Sequence, residues 1–63
     1  GKNWSMRVGK RGTALTTLRP AGTILVDGKR LDVSSQGDYI EKSAPVIIVR
    51  VEGSKIFVEQ TKE

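Results

Sequence analysis

The chain has 63 residues, no cysteine, no histidine, and a net charge of +4 from eleven Lys and Arg against seven Asp and Glu. This length supports one small domain at most, and the missing residue types exclude disulfides, thiolate zinc sites, imidazole metal ligands and catalysis by Cys or His. The positive charge weakly favours anionic partners, but basic residues are adjacent at two places only, so we interpret most of them as a solvated surface.

The start of the chain is predicted to form a lead-in followed by a first strand. Apolar side chains alternate in the lead-in, which indicates a strand or a segment packed on the rest of the fold: Trp4, Met6 and Val8. A strand is predicted over 10–18, with small residues on a face suited to a tight barrel interior. Gly12 inside this strand indicates a bend or bulge.

A hairpin is predicted in the middle of the chain. Pro20 and Gly22 end the first strand, because proline lacks an N–H and glycine accepts left-handed dihedral angles. Two alternating segments, 23–27 and 29–34, then flank Asp-Gly, a pair typical of a two-residue turn with positive φ at both positions. Ile24 and Val26 are predicted to face Leu31 and Val33 on one surface, with Leu25 pointing to the other.

The second half is predicted to hold a long loop and another hairpin. The polar segment between Ser35 and Pro45 is predicted to contain one helical or 3₁₀ turn, with Tyr39 and Ile40 turned inward. A nearly continuous β-branched run over 46–51 predicts a strand that is shielded on both sides or has one face awaiting a partner. A turn at 52–54 leads into a last strand over 56–59.

Five strands with a long loop between the third and fourth predict an all-β fold, a small five-stranded closed β-barrel of the oligonucleotide/oligosaccharide-binding (OB) type. An SH3-like or a lipoyl-type barrel is the structural alternative. We expect residues 1–8 to be a lead-in or the remnant of a longer protein, 9–60 to be the barrel domain, and 61–63 to be a tail.

The residue types present offer little chemistry. The hydroxyl pairs at 16–17 and 34–35 are better explained by strand propensity and local hydrogen bonds than by nucleophilic catalysis. No carboxylates are paired and no dense acidic loop could bind calcium. We therefore expect no catalytic residue, no metal site and no cofactor. No apolar run approaches the roughly 18 residues that span a bilayer, so we expect the chain as given to be soluble.

Function must then depend on the surface. Outward strand positions carry large apolar residues, which predict a protein-docking patch: Leu15, Leu25, Ile48 and Phe57. The alternative is that the lead-in segment or the long loop covers some of them. A small basic surface is predicted at Lys10, Arg11 and Arg19. The alternative function is binding of single-stranded nucleic acid, which the basic charge and the barrel favour. The scarcity of aromatic residues argues against it, since such binders stack bases on several aromatic rings.

Several spaced elements over 7–59 give a specific resemblance. The sequence resembles the C-terminal soluble domain of NfeD-like proteins at Gly9, Gly12, Ala14, Thr16, Leu18-Arg19-Pro20, Gly22, Asp27-Gly28, Gly37-Asp38-Tyr39-Ile40-Glu41-Lys42 and Val51-Glu52-Gly53. Ser43 stands where that family usually has glycine, which concerns the local geometry of one turn.

This resemblance implies an OB-fold domain held behind transmembrane helices that lie outside the chain, in a prokaryotic membrane protein. Its implied partners are stomatin- or flotillin-like membrane scaffolds, and its implied location is the cytoplasmic face of the cell membrane. Longer relatives add a serine protease domain of the ClpP class, and none of that segment is present. The resemblance thus favours a non-enzymatic interaction module, with nucleic acid not expected as a partner.

Overall fold

A computed structural model describes residues 8–62, and all the regular structure in that range is β-strand. The strands are β1 (Arg11–Ala14), β2 (Ala21–Val26), β3 (Lys29–Ser34), β4 (Pro45–Glu52) and β5 (Lys55–Gln60). They form a closed barrel in the order β1-β2-β3-β5-β4, with β4 returning to β1. Every neighbouring pair is antiparallel except β3 and β5. The five-stranded OB-type barrel predicted from the sequence is confirmed. Trp4 and Met6 of the predicted lead-in lie outside the described residues.

The predicted central hairpin is confirmed. All six residues of β2 pair with β3, from Ala21 opposite Ser34 to Val26 opposite Lys29. Asp27 and Gly28 have φ values of 52° and 76°, the positive values that a type I′ turn needs at both positions. The Lys10 ammonium lies 3.1 Å from the Asp27 carboxylate, which ties this turn to the start of β1.

The first strand is shorter than the predicted 10–18, because the chain leaves the β4 ladder after Ala14. The backbone amides of Leu15 and Thr16 both donate to the Thr23 carbonyl, at 2.9 and 3.3 Å. Leu18 then forms an isolated antiparallel bridge with Ile40, with N–O distances of 2.8 and 3.2 Å. The predicted strand is therefore a four-residue strand followed by a segment that closes one end of the barrel.

The loop between β3 and β4 differs from its prediction. It contains turns but no helical turn, and Ile40 is buried whereas Tyr39 is 60% exposed. The expected inward position of Tyr39 is wrong, because the bridge to Leu18 holds this segment extended and adjacent side chains then point to opposite sides. The Ser35 hydroxyl is buried and donates to the Asp38 carbonyl. Ser43 has a φ of 74°, so the turn keeps a geometry that favours glycine.

The interior is aliphatic and draws on every strand and both long loops. Its buried members are Ala14, Leu18, Ile24, Val26, Val33, Ile40, Val46, Ile48, Ile56 and Val58. Leu31, Ala44 and Val51 pack against this core while partly buried. Ile24, Val26 and Val33 thus lie on the inner surface, as predicted, with Leu31 at its margin. In the part of the chain that the structure describes, no helix has the length and apolarity needed to cross a bilayer.

In β4 the alternation of inward and outward side chains shifts by one residue at a β-bulge. Val46 and Ile48 point into the barrel, the register shifts between Ile48 and Arg50, and Val51 then pairs with Ile56. The prediction that Ile48 points outward is wrong, since its exposure is 1%. A continuous β-branched run does not reveal which of its two faces is buried, because both are equally apolar.

Candidate protein-docking surface

The strand register places the outward side chains of β1, β2 and β3 in rows. Thr13 pairs with Leu25, which pairs with Arg30 on β3. In the next row Leu15 donates its amide to Thr23, and Thr23 pairs with Asp32. Because the intervening residues of each strand face the core, both rows lie on the outside of the barrel. The exposure of Leu25, 37%, agrees with this direction.

Two grooves run along this outside surface and meet at one residue. The first, the β1–β2 groove, has a volume of about 350 Å³ and is lined by Leu15, Thr16, Thr23 and Arg30. The second, the β3–β5 groove, has a volume of about 390 Å³. Its lining residues are Ala21, Gly22, Thr23, Asp32, Val33, Ser34, Lys55, Ile56 and Phe57. Thr23 borders both grooves, so the surface is continuous from Leu15 to Phe57.

We call this surface the outer face and define it by Leu15, Thr23, Leu25, Arg30, Asp32 and Phe57. It contains three of the four residues predicted as a docking patch, namely Leu15, Leu25 and Phe57. Ile48 is excluded because it lies in the core. Sequence reasoning missed Thr23 and Arg30, although the Asp-Gly turn fixes the register that sets them beside Asp32 and Leu25.

Phe57 is held in place by its neighbours. It pairs with Ser34 on one side and with Arg50 on the other. The Arg50 guanidinium carbon lies 4.5 Å from the centre of the Phe57 ring, and Arg50 Nε lies 3.2 Å from a carboxylate oxygen of Glu52. A half-buried aromatic ring beneath a guanidinium has little conformational freedom to lose, which suits an anchor for a partner.

The predicted basic surface is divided by the fold. Lys10 and Arg11 lie near the end of β2, where Lys10 pairs with Asp27. Arg19 lies before the start of β2, with its guanidinium carbon 5.9 Å from the centre of the Tyr39 ring. These cations are therefore at opposite ends of β2 rather than in one patch. Arg19 thus lies over the loop between β3 and β4.

A wider depression lies at the loop pole, our name for the barrel end formed by residues 15–20 and 35–44. Its volume is about 550 Å³, and its lining residues are Tyr39, Glu41, Lys42, Ser43, Ala44 and Gln60. Glu41 and Lys42 place one charge of each sign here, and Tyr39 is the large exposed ring. This depression lacks the aliphatic residues of the outer face, which makes it the weaker candidate for docking.

The hydroxyl pairs engage the backbone. Thr16 Oγ1 donates to the Thr17 carbonyl at 3.3 Å and accepts from the Thr23 amide at 3.1 Å. Ser34 Oγ accepts from the Gln36 amide at 3.2 Å. These contacts are the local hydrogen bonds that the sequence interpretation favoured over nucleophilic roles. Across residues 8–62, no three His, Cys, Asp or Glu side chains are grouped so as to hold a metal ion.

Comparison with known proteins identifies the family. Residues 6–60 match the family model described as the NfeD-like C-terminal, partner-binding domain. The chain belongs to the NfeD-like family. Membrane protein NfeD1b of Bacillus subtilis strain 168 is 47% identical over 53 residues, which are 84% of the chain and 12% of the Bacillus protein. The chain thus corresponds to a small part of that relative.

Two solved structures share the fold. The C-terminal domain of stomatin operon partner protein 1510-C from Pyrococcus horikoshii has a TM-score of 0.85 and 28% identity, with 94% of each chain covered. The soluble domain of a membrane protein implicated in regulation of membrane protease activity, from Corynebacterium glutamicum, has a TM-score of 0.78. Its identity is 18%, over 90% of this chain and 97% of that one, and this likeness concerns the fold alone.

Proposed function

We propose that this NfeD-like domain is a non-enzymatic protein-interaction module that docks a stomatin- or flotillin-like membrane scaffold through the outer face. The observation that carries the proposal is the continuity of that face on a domain of a partner-binding family. The two grooves join Leu15 to Phe57, and Leu25 pairs with Arg30 of the first groove. The Pyrococcus relative, described as a stomatin operon partner, supports the choice of partner.

The proposed setting is the membrane surface. In the parent protein, transmembrane helices outside this chain would hold the barrel at the cytoplasmic face of the cell membrane. The Bacillus relative supports this setting because it is a membrane protein of which the matched region is 12%. A tether confines the domain near other membrane proteins, so a modest intrinsic affinity suffices for docking.

The non-enzymatic part of the proposal depends on the residue types. The chain lacks His and Cys, and its paired hydroxyls bond to the backbone. The hydrogen bonds of the Thr16, Ser34 and Ser35 hydroxyls go to backbone atoms and not to a general base that could activate a nucleophile. Incubation with a fluorescent protein substrate tests this point. We expect no cleavage above a heat-denatured control, and cleavage by the folded chain would contradict the proposal.

Lysine at the apolar positions of the outer face should abolish docking. We expect Leu25→Lys and Phe57→Lys each to raise the Kd for a stomatin-like protein of the same organism by at least about tenfold, because a lysine would be desolvated at the centre of the contact. Both side chains lie outside the core, so the fold should survive. Isothermal titration calorimetry of the 63-residue chain against the partner in detergent measures the change.

Val8→Lys is the matched control, since Val8 is an exposed aliphatic residue outside the outer face. Circular dichroism and thermal melting confirm that each variant is folded. An unchanged Kd for folded Leu25→Lys and Phe57→Lys variants would refute docking through this face. An equal loss in Val8→Lys would show that added charge, rather than the outer face, weakens the complex.

Single-stranded nucleic acid is the second candidate, which the OB-type barrel and the charge of +4 favour. Among residues 8–62, however, the outer face presents one aromatic ring, Phe57, and Arg50 lies over it. Titration of a fluorescent oligothymidine at low and moderate salt tests this alternative. Micromolar affinity with a steep salt dependence would support nucleic-acid binding, and we expect no saturable binding.

A further inference from the structure

The third strand has an open edge. β3 pairs with β2 along its whole length but with β5 at a single position, Ser34 opposite Phe57. The barrel is therefore closed between β3 and β5 at one end of β3 only. Residues 29–33, which we call the β3 edge, have one strand neighbour within the part of the chain that the structure describes.

The turn geometry determines which backbone groups point from this edge. In a hairpin with a two-residue turn, the flanking residues Val26 and Lys29 exchange both of their hydrogen bonds, and every second pair beyond them does the same. Leu31 and Val33 therefore bond to β2. Arg30 and Asp32 direct their N–H and C=O groups to the opposite side, toward the gap beside β5.

We propose that the β3 edge binds an extended, acidic segment of the partner protein by strand addition. In this mode the main chain of the added segment bonds to an open strand, and neighbouring pockets select its side chains. Arg30 and Asp32 supply two N–H donors and two C=O acceptors. The inference rests on the proposed function, because it specifies the partner chemistry of that same docking surface.

The charges around the β3 edge determine which charge the bound segment should carry. Lys29, Arg30 and Lys55 surround it, and all three are exposed. None of them forms an ion pair with another residue in 8–62, where the ion pairs are Lys10–Asp27 and Arg50–Glu52. Asp32 is the acid on the edge, and its Oδ1 accepts from the Thr23 hydroxyl at 3.4 Å. The excess of cations favours an acidic segment.

The β3–β5 groove selects an apolar residue in the segment. Phe57 and Val33 line this groove beside the open edge. Alternate residues of a strand point to the same side. If an acidic residue of the added segment lies opposite Arg30, the segment residues two and four positions from it therefore also point to the outer side. One of these would contact Phe57. The expected segment is therefore extended, with acidic and apolar side chains on one face.

Amide hydrogen exchange measured by NMR tests the open edge in the free 63-residue chain. We expect the amides of Arg30 and Asp32 to exchange at least about tenfold faster than those of Leu31 and Val33, because only the latter pair is bonded within the sheet. Equal protection of all four amides would show that the edge is already covered and would overturn the proposal.

Peptide titration tests strand addition itself. The probe is an acetylated peptide of alternating Glu and Val, and the control peptide has Lys in place of Glu. We expect the Glu peptide to bind, to slow exchange at Arg30 and Asp32, and to bind at least about tenfold tighter than the Lys peptide. Absence of binding, or binding without protection of these amides, would overturn the proposal.

Two substitutions at position 32 distinguish the contribution of the backbone N–H to binding from that of the side chain. Asp32→Pro removes an outward N–H and leaves the bonds to β2 in place, which a strand edge tolerates. Asp32→Ala keeps the N–H and removes only the carboxylate. We expect the proline variant to lose peptide binding and the alanine variant to retain it, whereas equal binding by both would contradict strand addition. If the proline variant does not fold, the exchange protection of the wild-type chain decides the question.

The same variants distinguish this inference from the proposed function. If a stomatin-like protein binds the wild-type and Asp32→Pro chains equally but not Leu25→Lys, docking on the outer face stands and strand addition fails. If it binds none of them, the proposed partner is wrong, and the peptide result still decides whether the edge accepts a strand. Sedimentation velocity should show a monomer, and a concentration-dependent dimer lost in Asp32→Pro would assign the edge to a second copy instead.

Discussion

Leu18→Ala is expected to lower the free energy of unfolding by about 2–5 kcal/mol, the usual cost of such a truncation at a fully buried site. Leu18 has 0% exposure and closes the loop pole from outside any strand. Both of its backbone hydrogen bonds go to Ile40, so the main chain cannot move in to fill the cavity. A domain of this size has little stability in reserve, and much of the variant should be unfolded.

Urea denaturation followed by circular dichroism measures this loss. Leu25→Ala is the matched control, since it removes the same atoms from a side chain that is 37% exposed. Leu25→Ala should lower the free energy of unfolding by well under half as much as Leu18→Ala, because the lost atoms bury less apolar area and no cavity forms. Equal destabilisation by the two substitutions would contradict the assignment of Leu18 to the core.

Gly12→Ala is expected to destabilise the barrel by about 1–3 kcal/mol through overpacking. A Cβ at this position would lie 2.4 Å from the Leu25 carbonyl oxygen and 2.6 Å from a Val26 methyl group. The carbonyl belongs to the neighbouring strand and Val26 belongs to the core, so neither can retreat freely. Replacing glycine elsewhere in a strand usually stabilises a protein by restricting the unfolded chain. At Gly12 the steric contact makes the same replacement destabilising.

Thermal melting detects this effect as a fall in Tm of several degrees, at about 4–8 °C per kcal/mol for a domain of this size. Thr13→Ala, one residue along and facing solvent, is the control and should change Tm by far less. A Gly12→Ala chain as stable as the wild type would show that β1 and β2 lie farther apart than in this structure.

Local turn chemistry made much of the fold predictable. Asp27-Gly28 predicted the central hairpin because its backbone preference is strong and confined to two residues, and both residues have the expected positive φ. Gly53 similarly begins the turn between β4 and β5, with a φ of 61°. With these two turns placed, the remaining connections are 15–20 and 35–44.

Features that depend on distant contacts were not predictable. The run 46–51 is apolar on both faces, so only the packed barrel shows that Ile48 is buried and that a bulge follows it. Tyr39 and Ile40 are adjacent apolar residues in a polar loop, and the bridge to Leu18 decides which of them is buried. In both places the deciding partner is distant in sequence.

The candidate site likewise has parts that local sequence predicts and parts that depend on distant contacts. Leu15 and Leu25 were predicted as outward residues from strand alternation, which local pattern determines, and the structure places both on the outer face. The link from them to Phe57 through Thr23 depends on how β5 meets β3. That pairing joins strands separated by the whole loop and β4, so no local signal could reveal it.

Docking through the outer face is tested most directly by NMR mapping of the isotopically labelled chain as a stomatin-like protein of the same organism is added. We expect the amide signals of Leu15, Leu25, Arg30 and Phe57 to shift or broaden most, with little change at the loop pole. Changes centred on Tyr39, Lys42 and Gln60 instead, or no change at a saturating concentration of the partner, would contradict docking on this surface.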